Sequence, residues 1–133
     1  MTSARILIVE DERIITQALR RRLTALGHTV VGLAASGDDA VAQADTLWPD
    51  VLLLDIGLRG AMDGVEAARQ IWARMPTLVI YLSAYADTPT VARARQTRPA
   101  GYLVKPVLDH ELRAALARAL DGPSPPDSGV PPG

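Results

Sequence analysis

The chain has no cysteine, no phenylalanine and no asparagine, and only one of its fourteen basic residues is a lysine. Without cysteine there is no disulfide, no thiolate nucleophile and no zinc-thiolate site, so the thiol chemistries are excluded, and a reducing cytoplasm suits the chain. The amino-terminal apolar stretch is only four or five residues long and meets acids at once. It is therefore neither a secretion signal nor a membrane span, and no membrane association is expected. The formal net charge is −1, and no base-reading motif accompanies the arginines, so no direct nucleic-acid partner is expected. Arginine for lysine, ten prolines and the missing asparagine and cysteine fit either a GC-rich genome or a heat-adapted protein.

What is present is organised around short apolar runs that end in polar residues. Ile6-Leu7-Ile8-Val9 runs into Glu10-Asp11-Glu12, Val51-Leu52-Leu53-Leu54 into Asp55, Leu78-Val79-Ile80-Tyr81-Leu82 into Ser83, and Tyr102-Leu103-Val104 into Lys105. Unalternating Val, Ile and Leu is how strands of a parallel sheet read when helices cover both faces. Residues 29–33 make a fifth strand. Between the runs lie helical patterns with their own punctuation. Ile14, Ile15, Ala18, Leu19, Leu23 and Leu26 form a stripe that stops at Gly27. Ser36 opens a second helix to about Trp48, with Asp39 at its third position and Pro49 closing it. Asp63-Gly64-Val65-Glu66 repeats that capping pattern for a third helix, which carries Val65, Ala68, Ile71, Trp72 and Met75 and is ended by Pro76. Thr88-Pro89 opens a short fourth helix to about Arg98, and Leu112, Ala115, Leu116, Ala119 and Leu120 line a fifth.

Strict alternation of five strands and five helices predicts an α/β fold: a doubly wound, flavodoxin-like parallel sheet, with strand order 2-1-3-4-5 as the arrangement that suits five strands. Residues 1–121 form this single domain. Residues 122–133, Gly-Pro-Ser-Pro-Pro-Asp-Ser-Gly-Val-Pro-Pro-Gly, carry too little apolar surface to fold and read as a linker or disordered tail. No output domain is expected within these 133 residues.

Ligands in such sheets collect outside the carboxyl ends of the strands. Glu10, Asp11 and Asp55 would meet there, and three neighbouring carboxylates repel unless a cation neutralises them. Oxygen-only ligation points to Mg²⁺, with Mn²⁺ as a stand-in. A carboxylate in that setting can act as the nucleophile on a phosphoryl group, and Asp55, in the middle, is the candidate. Ser83 would donate its hydroxyl to one phosphoryl oxygen and Lys105 would pair with another. A lone lysine could be chance in an arginine-biased chain. Its place at the end of an apolar run, before Pro106, suits a compact ammonium better than a planar guanidinium.

These motifs, with Met62-Asp63-Gly64, Leu82-Ser83-Ala84 and Gly101 to Pro106 in order, resemble the receiver domains of bacterial two-component response regulators, like the single-domain chemotaxis regulator. The resemblance runs from about Arg5 to Leu120. It implies Asp55 as phosphoacceptor, Glu10 and Asp11 as the acidic pair with Asp11 the more direct metal ligand, and the Gly57 carbonyl as a further ligand. It also implies Ser83 and Tyr102 as the switch pair and a cis bond at Lys105-Pro106. A sensor histidine kinase or phosphotransfer protein would be the donor. A downstream protein would bind the face made by the fourth helix, fifth strand and fifth helix. The domain would catalyse only its own phosphorylation and dephosphorylation, so it would not count as an enzyme.

The chain departs from the family pattern at Val107, where phenylalanine is common, and at Arg98 to Gly101, which lack the acids found in many dimerising DNA-binding regulators. The long loop from Ile56 to Asp63 resembles receivers that associate with sensor kinases or RNA-binding outputs. Arg13 and Arg20 to Arg22 make the first helix basic, either a kinase-docking face or a solvated one. His28 and His110 read as surface histidines, Tyr81 as a packing residue, and Trp48 and Trp72 as helix-face contacts. Two other readings stand beside the switch. One is an interaction module that works without phosphate. The other is a Mg²⁺-dependent phosphohydrolase, disfavoured because Gly57 stands where a second acid is needed.

Overall fold

The computed structural model describes residues 3–84 and 89–121. Five parallel strands, β1 (Arg5–Val9), β2 (Thr29–Ala34), β3 (Val51–Asp55), β4 (Leu78–Ser83) and β5 (Gly101–Val104), form one sheet in the order β2-β1-β3-β4-β5. The helices are α1 (Arg13–Ala25), α2 (Gly37–Leu47), α3 (Gly64–Trp72), α4 (Pro89–Gln96) and α5 (Asp109–Asp121). The expected topology is the observed one.

Each central strand is apolar throughout because alternate residues serve opposite cores. Leu7, Val9, Leu52, Leu54, Val79 and Tyr81 face Val41 of α2, Ile71 of α3 and Ala94 of α4. Ile6, Ile8, Val51, Leu53, Ile80 and Leu82 face Leu19 and Leu23 of α1 and Leu112 and Leu116 of α5. Burial on both sides thus replaces the polar alternation of a one-faced sheet.

The expected punctuation operates locally. Ser36 accepts a hydrogen bond from the Asp39 amide at 3.1 Å, and Asp63 from the Glu66 amide at 2.9 Å, each satisfying an otherwise orphaned helix-terminal N–H. Gly27 closes α1 at φ 94°, a backbone region that glycine enters without penalty. The fourth helix ends at Gln96, two residues early, with Arg98 in the left-handed region at φ 54°. Pro99 accounts for this, since a residue before proline is disfavoured in the helical region. The expected Thr88 cap lies outside the described residues, as does the tail from Gly122. Lys105-Pro106 is cis, as expected.

Three expectations need correction. Ile14 is 86% exposed, because 3.6 residues per turn place it about 180° round α1 from Leu23. His28 is a buried residue, and its Nδ1 accepts the Ala4 amide at 3.0 Å; it therefore pins the amino-terminal residues beside β1. Trp48 is not a helix-face contact. It caps α2 in the left-handed region at φ 48°, is 57% exposed, and precedes Pro49, which blocks another helical turn. Arg5 secures this corner, donating to the carbonyls of Trp48 at 2.8 Å and Leu47 at 2.7 Å.

Candidate functional site

The carboxyl ends of β1, β3, β4 and β5 bring Glu10, Asp11, Asp55, Ser83 and Lys105 to one edge of the sheet. Strand pairing sets the heights. Val9 lies opposite Leu54 in the β1–β3 register, and Asp55 lies opposite Leu82 in the β3–β4 register. Glu10 therefore leaves the sheet level with Asp55, and Ser83 one step beyond. The Lys105 amide donates to the Ser83 carbonyl at 2.7 Å, which anchors the lysine backbone to the end of β4.

Carboxylate oxygens of Glu10, Asp11 and Asp55 all lie within 4.8 Å of one another. Lys105 Nζ donates to Glu10 Oε1 at 2.9 Å and stands 3.4 Å from Asp55 Oδ2. The second Glu10 oxygen accepts the Glu12 amide at 3.2 Å, and Asp55 Oδ1 accepts the Gly57 amide at 3.0 Å. Burial pushes the Glu10 carboxyl up to about 7; the hydrogen bond from Lys105 opposes this and the neighbouring Asp55 charge adds to it. Burial pulls the Lys105 ammonium down, but its hydrogen bond to Glu10 and the charges of Asp55 and Glu10 outweigh that and leave its pKa raised. The ammonium is therefore held charged beside the carboxylates. Asp11, Asp55 and Lys105 open onto a cleft of about 390 Å³, to which Gly57, Ser83 and Arg59 also contribute, while the Glu10 side chain is buried behind them.

Arg59 was not legible as a site residue. Its backbone amide and its guanidinium Nε approach Asp11 Oδ2 at 3.3 and 3.4 Å, and only its position four residues after Asp55 hinted at this. Arg93 carries no motif signal in the sequence, yet it bonds to Asp63 at 2.9 Å and links α4 to the cap of α3. Burial raises the Asp63 pKa, but the Arg93 hydrogen bond and the Glu66 amide outweigh it and hold the carboxyl below its ordinary range. Arg22 is likewise committed, donating to Asp109 and to the Val107 carbonyl at 2.6 Å each. It ties α1 to the segment after Pro106, so the docking-or-solvated choice offered for the α1 arginines does not hold at this position.

The loop into α3 depends on close backbone contact. A Cβ on Gly64 would lie 2.3 Å from the Asp55 carbonyl oxygen, so only glycine lets α3 start directly against the end of β3. Tyr102, the other switch candidate, is half-buried beside the core and has the Arg95 guanidinium 5.2 Å from its ring centroid. Tyr85, which follows Ala84 in the sequence, is outside the described residues.

The chain matches the response regulator receiver domain over residues 6–117. It is 34% identical over 116 residues to the transcriptional regulatory protein PdtaR of Mycobacterium tuberculosis H37Rv, covering 87% of this chain and 56% of that protein. It is 38% identical over 117 residues to the positive alginate biosynthesis regulatory protein of Pseudomonas aeruginosa, covering 86% and 46%. The signal receiver domain of a modulated diguanylate cyclase from Desulfovibrio desulfuricans G20 superposes with a TM-score of 0.84 at 38% identity, covering 90% of this chain and 95% of that one. The chain belongs to the response regulator receiver domain family of two-component signalling. It spans about half the length of the curated relatives it matches. Members of this family are generally switches rather than enzymes. No described helix is long and apolar enough to cross a membrane.

Proposed function

We propose that the domain is a signalling switch in which Asp55 accepts a phosphoryl group from a phosphohistidine donor. The observation that carries this reading is the convergence of Asp55, Asp11 and the Lys105 ammonium at a single cleft, with the Glu10 carboxylate buried behind them in the same cluster. In the transfer an Asp55 carboxylate oxygen bonds to phosphorus as the phosphorus–nitrogen bond breaks, and the imidazole leaves, taking a proton from solvent. Lys105 Nζ, already 3.4 Å from Asp55 Oδ2, offsets charge on a phosphoryl oxygen, and the Ser83 hydroxyl donates to another.

The donor set fits Mg²⁺: it is oxygen-only and carries more negative charge than Lys105 alone balances. Asp11, half-buried in the cleft, would be a direct ligand with Asp55 and the Gly57 carbonyl, while Glu10, buried and bonded to Lys105, would act through water. When bound, the metal would neutralise charge developing on the phosphoryl oxygens. Mn²⁺ could replace it.

The donor would be a sensor histidine kinase or phosphotransfer protein. An apolar groove of about 410 Å³ beside the cleft, with Ile14, Ile15, Pro106 and Val107 on its walls, suits its docking. An exposed Ile14 then has a purpose that core packing does not give it. The output would pass through Ser83 and Tyr102 to the face of α4, β5 and α5, where a downstream protein binds. Residues 1–121 constitute the domain, and a cytoplasmic location fits it. The test is intact-protein mass after incubation with acetyl phosphate, with Mg²⁺ or chelator, on wild type and Asp55→Asn. One added phosphoryl group that needs both metal and Asp55 is expected. No addition, or retained addition on Asp55→Asn, would overturn the assignment.

A further inference from the structure

At the opposite edge of the sheet, where the strands begin and α2, α3 and α5 end, lies a concavity of about 640 Å³. Its walls include Trp48, Pro49, Asp50, Trp72, Met75 and Leu120. Both tryptophans of the chain stand here. Trp72 Nε1 donates to the Thr77 carbonyl at 2.8 Å, so this indole is held in place and offers a ligand its π surface rather than a donor. Trp48 is anchored through its backbone, whose carbonyl accepts from Arg5 at 2.8 Å, while the residue as a whole stays 57% exposed.

The charge on this wall has one sign. Asp50 is its one charged residue, and among the described residues the carboxylate has only the Arg5 backbone amide as a partner, at 2.8 Å. That amide carries no net charge, and the Arg5 guanidinium is spent on the carbonyls of Leu47 and Trp48. Trp72 is the last residue of α3 and Leu120 lies in the last turn of α5, and helix carboxyl ends carry partial negative charge. An unneutralised acid beside two indoles favours an organic cation: the ring quadrupole attracts positive charge, most strongly at tryptophan, and a methylated ammonium brings apolar surface to bury. A divalent metal is a poor fit, because a single carboxylate supplies too few oxygen ligands. The volume lies in the range of small-molecule sites. We propose that this concavity binds a small molecule bearing a quaternary ammonium group, with the cation against the rings of Trp48 and Trp72 beside Asp50 and the apolar remainder along Met75 and Leu120. The site lies away from the phosphoryl cleft and does not depend on the role of Asp55.

Choline is the probe, titrated into the full chain at low ionic strength. Its uncharged isostere, with a tert-butyl group in place of trimethylammonium, is the control. The two indole N–H signals of ¹⁵N-labelled protein read the site directly, since the chain has no other tryptophan. Choline should shift both signals saturably, and the isostere should bind at least about fivefold more weakly. Asp50→Asn, which keeps an oxygen to accept the Arg5 amide, and Trp48→Leu should each weaken choline binding at least about threefold. Asp50→Asn remains informative if Trp48→Leu misfolds. The absence of a saturable shift would overturn the proposal. So would equal binding of the isostere, or unchanged binding by Asp50→Asn, since either would leave an apolar groove indifferent to charge. Tighter binding of N-acetylarginine methylamide than of choline would also overturn it, assigning the concavity to an arginine of a partner protein.

Discussion

Gly64→Ala tests the link between the helix corner and the nucleophile. A Cβ there would meet the Asp55 carbonyl oxygen at 2.3 Å, the Ile56 Cα at 3.0 Å and the Asp55 carbonyl carbon at 3.1 Å. A relaxed carbon–oxygen contact is about 3.3 Å or more, so roughly 1 Å of movement is needed. All three atoms belong to the backbone, and no rotamer change can relieve them. Either α3 lifts from the sheet, losing the Gly64 N–H to Ile56 carbonyl bond of 3.2 Å, or the end of β3 shifts and takes Asp55 with it. Overpacking of this kind costs about 1–3 kcal/mol. Because Gly64 is the first residue of α3, better helix propensity returns only part of the roughly 1 kcal/mol that alanine gains over glycine in a helix interior. With about half of that returned, the net cost is about 0.5–2.5 kcal/mol, and at about 4 °C per kcal/mol for a domain of this size the melting temperature should fall by about 2–10 °C. Gly57→Ala is the control: among the described residues its Cβ would have only Asp55 Oδ1 at 3.7 Å as a neighbour, and its cost should stay within about 0.5 kcal/mol. Thermal melts of the two variants decide the matter. A Gly64→Ala protein that melts with wild type would refute the reasoning.

Lys105→Arg should keep the charge yet impair phosphorylation-dependent switching, because a guanidinium fork cannot occupy the ammonium position between Glu10 and Asp55; normal switching, read as shifts at Tyr102 on phosphorylation, would favour an accidental lone lysine. Arg59→Ala should tighten Mg²⁺ binding by a few-fold at most, since an exposed pair with Asp11 contributes about 0.2–1 kcal/mol; weaker binding in a metal titration would count against competition for Asp11. His28 is lowered in pKa by burial. The unfolded chain therefore takes up a proton near pH 6.5 that the folded chain refuses, and stability should fall as pH drops below about 6.5. Urea midpoints at pH 7.5 and 5.5 should show this loss, and His28→Ala should flatten it.

Much of the fold was legible because its signals are local. Leu7 and Ile8 look alike in sequence because both are buried, and that same fact identified the sheet as parallel and covered on both faces. Ser36 and Asp63 announced their helices through the bonds they make. The polar ends of four apolar runs pointed to Glu10, Asp11, Asp55, Ser83 and Lys105, since topology alone gathers them. What could not be read depended on three-dimensional proximity without a periodic or motif signal. The Arg59–Asp11 pair spans 48 residues, the Arg93–Asp63 bond spans 30, and the His28–Ala4 bond spans 24. Ile14 was misplaced for a different reason: its hydrophobicity fits the stripe, but its angular position does not.

The central claim is that Asp55 itself receives the phosphoryl group. Borohydride reduction of the phosphorylated protein, followed by peptide mass spectrometry, locates an acyl phosphate by converting the modified aspartate to homoserine. The account predicts homoserine at position 55 and nowhere else, dependent on Mg²⁺. Conversion at Asp11 instead, or a phosphoryl group retained on a residue that borohydride does not reduce, would contradict it.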